Sequence, residues 1–142
     1  MRYHDFKLRS YTVSDMGRKI ELHLVYDYPG ATEIDSHIEF TDVVCYHFVH
    51  TEGTILTDID EEPLRDFVKN EEGFLASSAT QNGLRLWRTD STDYLHRLED
   101  GGYHAWRLGS AIGFSGFVVA RTVGEKEEPN QSAQTRSLTR PV

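Results

Sequence analysis

Two neighbouring stretches alternate apolar and polar residues with a period of two, and that pattern constrains the chain more than any other. In 18–28, Ile20, Leu22, Leu24, Tyr26 and Tyr28 fall on one side, with Lys19, Glu21, His23, Val25 and Asp27 on the other. In 33–41, Ile34, Ile38 and Phe40 share a side around Ser36, with Glu33, Asp35, His37 and Glu39 opposite. Successive side chains of a strand point to opposite faces, so each stretch predicts a strand with one face on a core and one in water. Tyr28-Pro29-Gly30 between them signals a turn, since Pro fixes φ and Gly tolerates positive φ. The expectation is a hairpin that brings Lys19 near the outward acids of its partner strand.

The rest of the chain adds strands and then short helices. Residues 4–12 read as a strand with Phe6 and Leu8 on one side and Lys7 and Arg9 on the other. Segment 43–49 is apolar or aromatic on both faces and reads as a covered central strand. Thr51-Glu52-Gly53 then predicts a turn into another strand over 54–59. Asp60 is placed to cap a helix with Glu61, Glu62 and Pro63 in its first turn, Leu64, Phe67 and Val68 on one face, and Gly73 as its stop. A polar loop over 77–83 and a short strand over 84–87 follow. A second helix is expected over 91–100, with Tyr94, Leu95 and Leu98 as its buried stripe and Gly101-Gly102 at its end. Residues 103–108 and 117–123 read as a hairpin around the glycine-rich 109–116. The fold class is therefore α+β: a curved, mainly antiparallel sheet of about six or seven strands with one or two short helices. Residues 1–123 make a single domain. Residues 124–142, with little to bury, read as a flexible polar tail.

Charge and cysteine content narrow the function classes. The chain has 142 residues, one cysteine and a formal net charge of −8. Glu52, Asp58, Asp60, Glu61, Glu62, Asp66, Glu71 and Glu72 face only Arg65 and Lys69 within 52–72, so most of the imbalance sits in that segment. Such an excess argues against nucleic acid as a partner and favours a basic protein. No stretch approaches the roughly 20 apolar residues that span a bilayer. With Cys45 alone there is no internal disulfide, and the expected setting is a reducing cytoplasm.

Glu21, His23, Asp35, His37 and Glu39 project from one hairpin face, but metal binding needs donors converging at roughly 2.1 Å on one point, and a salt-bridged polar face explains them. Cys45 and His47 share a strand face among apolar neighbours, which suits a buried structural pair better than a nucleophile and base. Asp58-Ile59-Asp60 mimics the start of a calcium loop, yet Pro63 and Lys69 stand where Gly and Glu are required. Gly109, Gly113 and Gly116 lack the spacing of a phosphate-cradling loop. Trp87 and Trp106, with arginines nearby, are residue types that anchor protein interfaces.

No segment carries the signature of a known family, and no motif names an activity. The expected function is noncatalytic protein binding, of the kind an immunity-type inhibitor performs when it docks an acidic surface on a basic partner. Its partner-binding residues would be Asp58, Asp60, Glu61, Glu62, Asp66, Trp87 and Trp106, with no cofactor and no metal. The alternative is a small-molecule binder with an apolar pocket between sheet and helix, lined by Tyr26, Tyr46 and Phe48. A metal-dependent enzyme using the His23–His37 face is the third.

Overall fold

The computed structural model describes residues 3–82 and 91–126. Six strands form one sheet: β1 (Lys7–Ser14), β2 (Lys19–Tyr26), β3 (Ile34–Thr41), β4 (Cys45–Glu62), β5 (His104–Ala120) and β6 (Thr122–Glu125). Their order is β5-β4-β1-β2-β3-β6, and every pairing is antiparallel. Between β4 and β5 in the chain come the helices α1 (Leu64–Asn70), α2 (Glu72–Asn82) and α3 (Ser91–Asp100). The α+β class holds, with three short helices among the described residues where the sequence pattern suggests one or two.

Strand order alone dictates the curvature. β5 and β6 stand at opposite ends of the sheet, yet only Arg121 separates them in the chain. The end strands of a flat six-stranded sheet would lie roughly 24 Å apart, far beyond the reach of one residue. The sheet must therefore curl until its ends meet. At the junction, the Arg121 N–H donates to the Thr41 carbonyl at 3.1 Å.

Curling creates two cores. Inside the curl, Leu8, Ile20, Leu22, Leu24, Ile38, Phe40, Leu56, Ile59, Trp106, Leu108, Phe114 and Val118 pack together with Tyr3 and Val43. On the outer face, Ala105, Phe117 and Val119 of β5 meet Leu64, Phe67 and Val68 of α1, Leu75 of α2 and Leu98 of α3. The two sets on β5 alternate, as a strand covered on both faces requires. Tyr3 is drawn into the inner core, where burial and a hydrogen bond to Glu125 push its phenol up to about 12.

The hairpin read from 18–41 forms as expected, with Glu21 opposite Glu39, His23 opposite His37 and Val25 opposite Asp35. The second helix also forms as expected. Tyr94, Leu95 and Leu98 join the outer core, and α3 closes through Gly102 at φ +83° with the Tyr103 N–H donating to Leu98.

Four expectations change. The segment 51–53 makes no turn: β4 runs unbroken through it, accommodated by register irregularities between His50 and Ile59. Asp60 lies within β4 and caps nothing; α1 starts after Pro63 with no side-chain cap. The loop expected from Ser77 onward is helical to Asn82, because small and polar residues after Leu75 hide the helical period without opposing it. Finally, 103–108 and 117–123 do not pair with each other. Residues 104–108 and 117–120 are parts of one long strand, β5, laid along the similarly long β4, which supplies partners on both sides of the glycines, while 122–123 begin β6. Gly116 is needed there, since a Cβ at that position would overlap the His47 carbonyl and crowd the Phe48 backbone.

Composition also misplaces one boundary. Gly124 and Glu125 belong to β6, and Lys126 donates its N–H to the His37 carbonyl at 2.7 Å, so the sheet takes in the first residues assigned to the tail. The remainder of that tail, and the strand expected over 84–87, lie outside the described residues.

Candidate functional site

β4 ends in the acids of 58–62 and runs directly into α1 and α2, which carry Asp66, Glu71 and Glu72. Register places Asp60 opposite Arg107, Glu61 opposite Trp106 and Glu62 opposite Ala105. Arg107 organises the end. Its Nε donates to Glu62 Oε2 at 2.5 Å and its Nη2 to Glu71 Oε2 at 2.9 Å, while its guanidinium lies 5.3 Å from the centre of the Phe67 ring. Burial disfavours the charged guanidinium, but its bonds to Glu62 and Glu71 outweigh that and hold its pKa above the ordinary value. Asn70 closes the cluster by donating to Glu62 at 2.8 Å. Arg65 reaches across to Glu99 of α3 at 2.8 Å.

The expected partner-binding residues divide accordingly. Asp60, Glu61 and Asp66 are exposed, as is Glu72 beside them. Glu61 lies 3.8 Å from His104. Glu62 is committed to Arg107 and Asn70. Asp58 is also spent internally, accepting the backbone N–H of Tyr3 at 3.2 Å and of Ile59 at 2.8 Å. Trp106 is 5% exposed and packs edge-on to Phe40 in the inner core, so it presents no ring to a partner. Trp87 lies outside the described residues.

A second polar constellation occupies the outer face of β2, β3 and β6. The His23 and His37 rings stack at 4.3 Å with planes 16° apart. His23 Nε2 lies 2.8 Å from Asp35, and His37 Nδ1 lies 3.4 Å from Glu21. The cation expected near these acids is supplied by Lys126, 2.8 Å from Glu21 and 3.7 Å from Glu39, whereas Lys19 pairs with Thr41. The hydrogen bond from Lys126 holds the Glu21 carboxyl below its ordinary range, with His37 adding to that against the opposing effect of burial. Among the described residues, no group of three or more His, Cys, Asp or Glu is arranged to hold a metal ion.

Cys45, Tyr46 and His47 at the start of β4 face Phe74, Ser77, Ser78 and Gln81 of α2 across a cleft of about 480 Å³. Burial pushes the Cys45 thiol up to about 12, so it stays protonated and is a poor nucleophile. The His47 ring sits 4.4 Å from Phe74 and 6.0 Å from Phe117. Tyr26, Tyr46 and Phe48, expected to line one pocket, do not do so together. Tyr26 packs on Phe6 and Tyr28, while Tyr46 and Phe48 join a cluster with Tyr11 and Phe114.

Neither a protein-family model nor any of the curated proteins compared with it matches the chain. Among solved structures it is similar to an uncharacterized protein from Neisseria gonorrhoeae, at 11% identity over 89% of this chain and 94% of that one, with a TM-score of 0.45. Among the described residues, no helix is long and apolar enough to cross a membrane.

Proposed function

We propose that this chain is a noncatalytic binding protein that docks the acidic end formed by β4, α1 and the start of α2 on a basic protein partner. One observation carries the reading: among the described residues, Arg65 and Arg107 at this end are already engaged, and the exposed acids outnumber the cations that remain. Arg107 is shared by Glu62 and Glu71, and Arg65 pairs with Glu99. Lys69 then stands against exposed Asp60, Glu61, Asp66 and Glu72. A local excess of like charge along 60–72 raises the negative potential there, which speeds encounter with a cationic surface and selects against acidic ones. The Arg107 clamp serves the same end by fixing Glu62 and Glu71 beneath the exposed acids. A cationic active site, such as that of an enzyme acting on nucleic acid, is the partner chemistry that fits.

The reading is tested by affinity capture from the native host at low and at raised salt. Three baits are compared: the wild-type chain, Asp60→Asn/Glu61→Gln/Asp66→Asn/Glu72→Gln, and a control carrying Glu33→Gln on the β2–β3 connection. The expected result is a basic protein retained by wild type and control, lost by the fourfold variant, and released from wild type as salt rises. A partner held equally by the fourfold variant contradicts the reading.

A further inference from the structure

The cleft between β4 and α2 has no part in the acidic docking surface, and its chemistry is of a different kind. None of its described lining residues is Asp, Glu, Lys or Arg. The Cys45 thiol stays protonated, and Ser77, Ser78 and Gln81 offer only neutral hydroxyl and amide groups. A charged ligand entering here meets no Asp, Glu, Lys or Arg among the described lining residues, so the cleft favours a neutral ligand over an ion.

One pair of rings spans the cleft: His47 of β4 and Phe74 of α2 stand 4.4 Å apart and 40° from parallel, and Phe117 lies 6.0 Å from His47 and 5.5 Å from Phe74. Phe74, Ser77, Ser78 and Gln81 follow at i, i+3, i+4 and i+7, which places all four on one side of α2. A flat ring laid against the His47–Phe74 pair therefore finds hydrogen-bonding groups beside it along the same helix face. The volume of about 480 Å³ lies within the range of small-molecule sites and accommodates one ring with substituents.

We propose that this cleft is a binding site for a neutral monocyclic aromatic molecule bearing a hydroxyl or carboxamide group. The ring packs on His47 and Phe74, and the polar substituent bonds to Ser77, Ser78 or Gln81. This site is independent of the acidic docking surface, so either stands if the other fails.

Saturation-transfer NMR on the full chain tests it with four probes: phenol and benzamide as neutral ligands, benzoate and benzylammonium as charged counterparts of similar shape. The neutral pair is expected to bind about tenfold more tightly than the charged pair, the factor that one unpaired buried polar interaction supplies. Their addition should shift the amide resonances of Cys45, His47 and residues 77–81 in the wild-type chain. Ser78→Trp, which fills the cleft, should abolish saturation while the β2–β3 amide spectrum stays unchanged. Equal binding of charged and neutral probes, shifts mapping elsewhere, or saturation that survives in a folded Ser78→Trp variant would overturn the proposal. Should that variant fail to fold, the wild-type shift map decides alone.

Discussion

The outer face of β2, β3 and β6 and the end built from β4, α1 and α2 are both rich in acids, yet they settle their charge differently. On the first, Glu21, Asp35 and Glu39 each lie within 4 Å of a partner, the His23 ring, the His37 ring or the Lys126 ammonium. On the second, Arg107 satisfies two carboxylates and four more remain exposed beside Lys69. The difference follows from what each region does for the fold. Lys126 lies just past β6 and helps fasten the strand that closes the curl, so its pairs belong to the architecture. Among the described residues, no ion pair ties Asp60, Asp66 or Glu72 to another element, and exposed carboxylates of that kind are where a surface role is sought.

The largest expected effect comes from breaking the element under only one of the two regions. Gly116→Ala forces a Cβ onto the His47 carbonyl, and the β4–β5 pair that carries the acidic end must separate there. A loss of about 2–4 kcal/mol in urea unfolding is expected. Hydrogen exchange should rise along β4 and β5 before it rises between β2 and β3. Next is Arg107→Met, which removes two charge-assisted hydrogen bonds and the cation over Phe67. Because the arginine side chain is more than a third exposed, solvent screening reduces the cost to about 1–2 kcal/mol. The same change frees Glu62 and Glu71, so binding of a basic partner should become more salt-sensitive even as stability drops.

Lys126→Met sharpens the contrast through pH. Glu21 is held below 4.5 in the folded chain, so its contribution is complete above that value and fades as pH falls through the folded pKa. Lys126 is raised above 10.5, so its contribution is present below that value and fades as pH rises through the folded pKa. Removing the lysine should flatten the stability profile on both limbs, read from urea midpoints across the two ranges. The smallest effect is expected from Asp60→Asn with Asp66→Asn, which should move stability by no more than about 0.5 kcal/mol in either direction. A larger loss would mean that these acids are structural after all.

Much of the sheet was legible in the sequence because period two is a local signal. The 18–41 hairpin and the outward set from Glu21 to Glu39 came from alternation alone. The continuity of β4 and of β5 was not, since Thr51-Glu52-Gly53 and the glycines from Gly109 to Gly116 carry turn chemistry that a long paired partner overrides. Arg107 and Lys126 were invisible for a related reason. Their partners lie 45 and 105 positions away, and only strand register brings them together. Trp106 misled because residue type suggests an interface anchor, whereas its position on β5, in step with Leu108, Phe114 and Val118, puts it in the inner core.

The contrast between the two regions is tested most directly by amide relaxation from freely diffusing cationic and anionic nitroxides, compared residue by residue. The ratio of the two reports local potential without any partner. The cationic probe should be more strongly enriched over the anionic one along residues 60–72 than along 21–25 and 35–39, where Lys126 offsets part of the acid. Equal ratios over both stretches would contradict the claim that the molecule concentrates uncommitted negative charge at one end.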